Sequence, residues 1–367
     1  MAQLFSQVIS LRFGQRLSSV FVVPRLGWLL SLFTLGIGVP SAQSLNPDLR
    51  PDSAAPPRVV IVTDHRATAT YRPQTAPLRQ MVERGLSRLW RTPSAAAGWR
   101  QLISANDVVG IRVHSSTGKT SGTRPEVVAA VVESLLASGH PARQVVVWDR
   151  SMSTLRAAGY LALKRQFNID VVGAREFGYD GSAFYESSLI GTMVWGDHEF
   201  GVKGEGIGRK SYVSKLLTQR VTKIINITPL LNHNRAGVFG NLVGLALASV
   251  DNTIRFQSTA GRLAVAVPEI NALPEVGDRV VLNIVDALIA QYQGETQGRL
   301  QDSAVLNQLR FSADPVALDV LSIADLEKQR ALKNIDSLET NRTLYENASL
   351  LQLGMSDLDQ IVVESIR

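Results

Sequence analysis

"RVVIVTD", residues 58–64, is a short β-branched run closed by an acid. That is the pattern of a strand covered on both faces, as parallel strands are. The segment after it decides the fold. Leu78, Met81, Val82, Leu86, Leu89 and Trp90 recur at helical spacing, which predicts an amphipathic helix over 76–90. The alternation then repeats. "DVVGIRV" (107–113) reads as a second strand, and Val127, Val128, Val131, Val132, Leu135 and Leu136 form the stripe of a second helix. That helix stops at Gly139, with Pro141 just beyond. "QVVVWD" (144–149), a helix over 155–167 and "DVVGA" (170–174) continue the series. Strands separated by helices imply an α/β fold, with a mainly parallel sheet and helices on both faces.

Residues 175–215 break the rhythm with glycines and the mixed run "LIGTMVWGDHEFGV", which predicts an inserted hairpin or irregular region. "VTKIINIT" (221–228) resumes the strands, a helix is expected over 238–250, and "RVVLNIVDAL" (279–288) reads as a strand running into a helix. "SADPVALDVLSIADLEKQR" is a helix with Asp314 as its cap and Pro315 at its first position, where a missing N–H costs nothing. "QIVVES" supplies a last strand.

Upstream, Arg12, Arg16 and Arg25 stand without an acid, followed by the apolar run Leu26 to Val39 and the small residues PSAQS. This order predicts a secretory signal over 1–44, cleaved between Ser41 and Leu45. The apolar run is short of the roughly 20 residues that span a bilayer. A proline-rich linker over 45–57 then leads into one α/β domain over 58–367, exported to a periplasmic or other extracytoplasmic space. Removing the signal takes three of the 38 basic residues and leaves a net charge of +3 against 32 acids. That is too little to argue for nucleic acid or a membrane surface. There is no cysteine, so disulfides, a thiol nucleophile and cysteine-ligated iron–sulfur clusters are excluded. A divalent metal, if one binds, must take His, Asp, Glu or Asn.

In an open parallel sheet, ligands bind beyond the carboxyl ends of the strands. Asp64, His65 and Arg66 come after the first strand, "HSSTGKTSGTR" (114–124) after the second, Asp149, Arg150 and Ser151 after the third, and "PLLNHNRAG" after the run 221–228. His65, His114 and His233 are three of the five histidines in the chain, and all fall in these loops. The 114–124 loop lacks the first glycine of a P-loop, where Val113 stands. Lys119 and Arg124 there can still hold an anion, and Thr123 can cap the next helix. The candidate ligand-binding set is His233, Asn234, His114, Lys119, Arg124, Asp149 and Arg150. Ala236 and Gly237 would leave the next helix start open to a ligand. A candidate metal set is Asp64, His65, His114 and His233. Asp319, among apolar helix neighbours, is either on an exposed stripe or buried against a cation. His140 and His198 read as surface or locally hydrogen-bonded residues.

Taken together, "GTRPEVVAAVVESLL", "VVVWDRS", "IINITPLLNHNRAGVFGNLVGLALASVDNTIRF" and "SADPVALDV" resemble a family known as domain of unknown function 362, from about residue 58 to the C-terminus. The resemblance implies an α/β domain, often exported in bacteria and sometimes joined to cysteine-ligated iron–sulfur modules, with no activity to carry over. His233, Ala236, Gly237, Asp251 and Asn252 match the family pattern. Leu231 stands where it usually has a lysine, and Val243 and Gly244 where it has a Lys-Asn pair. Three readings are open: a protein binding a small anionic ligand at the strand ends, a metal-dependent enzyme using the His/Asp set, and a non-catalytic interaction protein of the cell envelope.

Overall fold

The computed structural model describes residues 56–187 and 209–367, apart from residues 296 and 339. The expected signal over 1–44, most of the expected linker and His198 lie outside the described residues. Thirteen strands are described: β1 (Arg58–Thr63), the two-residue pair β2 (Thr68–Ala69) and β3 (Arg72–Pro73), β4 (Val109–Val113), β5 (Val145–Asp149), β6 (Asp170–Gly173), β7 (Tyr179–Glu186), β8 (Lys210–Ser214), β9 (Lys223–His233), β10 (Gly237–Val238), β11 (Val280–Gln291), β12 (Ser303–Ser312) and β13 (Val362–Ile366). The central sheet runs β13-β1-β12-β11-β9-β4-β5-β6, with β10 paired to β9. Only β12 and β10 run against their neighbours in it. β7 and β8 form a separate antiparallel pair within the expected insertion.

The runs 58–64, 107–113, 144–149 and 221–228 all lie in one sheet, as their β-branched composition predicts. β4, β5 and β9 are buried almost throughout, and β1 at Val59, Val60 and Val62, because helices cover both faces. One face packs on Thr75–Trp90 and Pro125–Ala137, the other on Asn241–Ser249, Ala260–Asn271 and Pro315–Leu332. Leu78, Met81, Val82 and Leu86 of the first helix are fully buried, each worth roughly 1.5–3 kcal/mol relative to exposure. That helix ends where Arg91 turns left-handed, at φ 54°.

Three expectations need correction. Residues 279–288 do not run into a helix: β11 continues as strand to Gln291 and returns as the antiparallel β12. β9 does not stop at Thr228. It passes through Pro229, opposite Asp286, and the register with β11 then jumps to Leu231 opposite Gln291. A proline has no N–H to give the ladder, and the irregularity falls there. Thus "PLLNHNRAG" is mostly strand and tight hairpin rather than loop. The helix expected from 238 begins at Asn241, because Gly237 and Val238 are spent on β10.

The connections set up a crevice. β4 leaves through Pro125–Ala137 to reach β5 on one side, whereas β9 leaves through the helices of the opposite face to reach β11 on the other. β4 and β9 are adjacent. Their carboxyl ends therefore form a topological switch point, the position at which open α/β sheets bind ligands.

Candidate functional site

His114 is the first residue beyond β4, and His233 is the last residue of β9. Both rings meet Phe239: the His114 centroid lies 3.9 Å from that of Phe239, and the His233 centroid 5.9 Å. Both histidines are buried, at 5% and 6% exposure, so His233 is not the open loop residue its polar neighbours suggest. Burial lowers both imidazoles, pushing His114 down to about 3 and overriding the nearby Asp149. Both are neutral at pH 7. His114 Nε2 lies 3.0 Å from Ser116 Oγ. A ring so reluctant to take a proton is a poor general base, and the contact serves to orient the ring.

Asp149 ends β5 and faces this pair. It accepts from Ser115 N–H at 2.8 Å, Ser115 Oγ at 2.6 Å and Arg150 N–H at 2.8 Å, which ties the ends of β4 and β5 together. Arg150 in turn donates to Thr253 Oγ1 at 2.7 Å. Lys119 is exposed and packs over Gly159.

The structure gives Arg124 a different task from ligand binding. Its N–H and Nη1 bind Asp286 at 3.0 and 2.9 Å, and Nη2 donates to the carbonyls of Thr120 and Ile289. The pair is buried and clamps the start of Pro125–Ala137 onto β11. Thr123 is likewise no cap: its hydroxyl accepts from His114 N–H and donates to the Ile227 carbonyl, stitching β4 to β9.

Nor does the metal set assemble. Asp64 and His65 come after β1, which is separated from β9 by β12 and β11, so three strand spacings of about 4.8 Å intervene. Asp64 is bound by Arg66, which holds its carboxyl below the usual range, and His65 is exposed. Among the described residues, no group of three or more His, Asp and Glu could hold a metal ion.

The start of helix Asn241–Ser249 is not open to a ligand either. Asp319, with no exposed surface, accepts from Asn241 N–H at 2.7 Å, Asn241 Nδ2 at 2.9 Å and Leu242 N–H at 3.0 Å. It is buried, as one of its two alternatives required, but against helix N–H groups rather than a cation. Gly240 is obligatory there, because a Cβ would collide with the Asp319 carboxylate. Asn241 passes the order on, its oxygens taking the Asn226 Nδ2 of β9. His140 is buried rather than on the surface and is hydrogen-bonded locally to backbone at Gln144, as its second alternative required.

One residue escaped the sequence reading. Arg112 of β4 is 1% exposed, and its Nε and Nη1 have no hydrogen-bond partner. Its remaining nitrogen, Nη2, lies 3.9 Å from Asp149. Burial pushes the guanidinium down to about 10, still protonated at neutral pH. Arg112 and His114 point to the same face, and the guanidinium lies against Gly244, leaving no space for a Cβ there. The signal was present in the sequence: an arginine inside a buried β-branched run is costly to fold.

A profile described as a domain of unknown function (DUF362) matches residues 109–324, more than half of the chain. Comparison with curated proteins finds no match. A crystal structure of a protein from Thermotoga maritima aligns at 11% identity and a TM-score of 0.40, covering 72% of this chain and 60% of that one. The profile runs from β4 through most of helix Pro315–Leu332, taking in both histidines, Arg112, Asp149 and Asp319, and the chain belongs to the DUF362 family.

Proposed function

We propose that this protein is exported and binds a small anionic ligand at the carboxyl ends of β4, β5 and β9. The observation that carries the reading is the convergence of His114 and His233 on Phe239 at the β4/β9 switch point. Positive charge comes from arginine, not from the neutral imidazoles: Arg112 lies beneath the site with two donors unpartnered, and exposed Arg235 lies beside His233. Neutral imidazoles supply hydrogen bonds of fixed direction. Binding is assigned here, and no reaction.

Titration calorimetry with inorganic phosphate, acetate and succinate tests the reading. Wild type is expected to bind at least one of them, and His233→Ala to lose that binding while remaining folded. Absence of binding by wild type to all three, or unchanged binding by His233→Ala, would refute it. Export is tested separately by N-terminal sequencing of protein recovered outside the cytoplasm. A start between Ser41 and Leu45 supports it, and recovery of Met1 or Ala2 contradicts it.

A further inference from the structure

The anion-binding reading leaves open what the ligand looks like and why Glu295 sits where it does. Glu295 lies between β11 and β12 at φ 47°, a left-handed conformation that glutamate seldom adopts and that something must hold in place. Its own N–H donates to Asn232 Oδ1 at 3.0 Å. Its carboxylate reaches back over the β9–β10 hairpin. Oε1 accepts from Asn234 N–H and Oε2 from Asn234 Nδ2, both at 3.3 Å, and Oε1 lies 3.6 Å from His233 Nε2.

The donors are oriented from behind. Asn232 Nδ2 binds Asn234 Oδ1 at 3.0 Å, which turns the Asn234 amide nitrogen toward the carboxylate. Arg235 N–H donates to His233 Nδ1 at 3.3 Å, so Nδ1 is an acceptor and the neutral ring carries its proton on Nε2, facing Glu295. Two hydrogen bonds from Asn234 and the nearby His233 Nε2–H, at 3.6 Å, converge on one carboxylate, and the Glu295 side chain remains 22% exposed. This exceeds what a surface glutamate needs.

We infer that His233 Nε2–H, Asn234 N–H and Asn234 Nδ2 form a carboxylate-binding subsite, that Glu295 fills it as an internal substitute, and that a ligand carboxylate enters by displacing the Glu295 side chain. The inference rests on the anion-binding reading and narrows its ligand to a carboxylate. A tethered carboxylate competes at high effective concentration, so wild type binds a free one weakly until the tethered group is removed.

Acetate titrated into wild type, Glu295→Ala and Glu295→Gln, followed by calorimetry and by the Asn234 amide resonance, tests this. Glu295→Ala is expected to bind acetate at least about tenfold more tightly than wild type, on the effective-concentration argument. Asn234→Ala combined with Glu295→Ala is expected to lose that gain. Glu295→Gln, which keeps an acceptor oxygen but no charge, is expected to fall between. Thermal melts of each variant establish that it is folded. Equal acetate affinity in wild type and Glu295→Ala, with binding still lost in His233→Ala, overturns the inference and leaves the site reading standing. Tighter binding of phosphate than acetate by Glu295→Ala overturns the carboxylate assignment. No binding of acetate, phosphate or succinate by folded Glu295→Ala overturns both.

Discussion

Two of the arginines buried against the central sheet lie on opposite faces and are treated differently. Arg124 has its guanidinium and backbone N–H on Asp286 and two backbone carbonyls. Arg112 has one nitrogen 3.9 Å from Asp149 and two others with no partner. Arg124, with its donors satisfied, is a structural clamp. Arg310 of β12 also has two unpartnered nitrogens but holds Asp325 at 2.6 Å, so what sets Arg112 apart is orphaned donors without a close carboxylate at the switch point. Asp319, which accepts from the Asn241 and Leu242 N–H groups and from Asn241 Nδ2, positions the site without offering it an open group.

The contrast can be broken experimentally. Asp286→Ala strands Arg124 in the core and is expected to cost about 3–5 kcal/mol in urea denaturation. A loss near 1 kcal/mol would mean that the clamp is not what holds helix Pro125–Ala137.

Acid should act on the other face, through His114. Burial keeps the folded-state pKa near 3, below the usual value of about 6.5. The unfolded chain therefore takes up the proton first, and the stability is complete above about pH 6.5 and lost progressively as pH falls toward 3. The loss is expected to reach at most about 5 kcal/mol. His114→Phe, which can still stack on Phe239, should flatten this dependence, and an unchanged acid limb would assign it to other groups.

Asp319→Ala removes the acceptor of three N–H donors at the start of Asn241–Ser249. It is expected to cost about 2 kcal/mol, by analogy with a lost cap and unsatisfied donors. Proton exchange should show Asn241 and Leu242 losing protection first. Arg112→Met should have the smallest effect on folding, within about 1 kcal/mol of wild type and of either sign, because an apolar chain replaces a poorly paired buried charge. A cost like that of Asp286→Ala would erase the difference between the two arginines.

The strands β1, β4, β5 and β6 were legible because each is a β-branched run bounded by polar residues. Such a run has few alternatives in a doubly covered sheet. β12 was missed because its alternation is broken: the register shifts between Val305 and Gln308, where Asn307 has φ 55°, so Val305 is exposed while Leu309 and Phe311 are buried. Its neighbour β11 was cut short because "DAL" favours helix on propensity alone. Tertiary pairing overrode that preference. At the site, residue type pointed to His114, His233 and Asp149, which the fold does bring near one another. It could not show that Arg124 is consumed by Asp286, since those two meet only through the β11 register. Glu295 carried no signal at all. Its role depends on a backbone turn and on a hairpin at residues 232–238, far away in sequence.

The central claim is that the β4/β9 crevice takes an anion, and mapping the binding on the backbone tests it most directly. Acetate and phosphate titrated into isotope-labelled protein, read from amide chemical shifts, should perturb residues 114–116 and 232–239 together, with saturation at one common concentration. Shifts clustered instead around Asp64–Arg66, or none up to the highest soluble concentration of either anion, would contradict it.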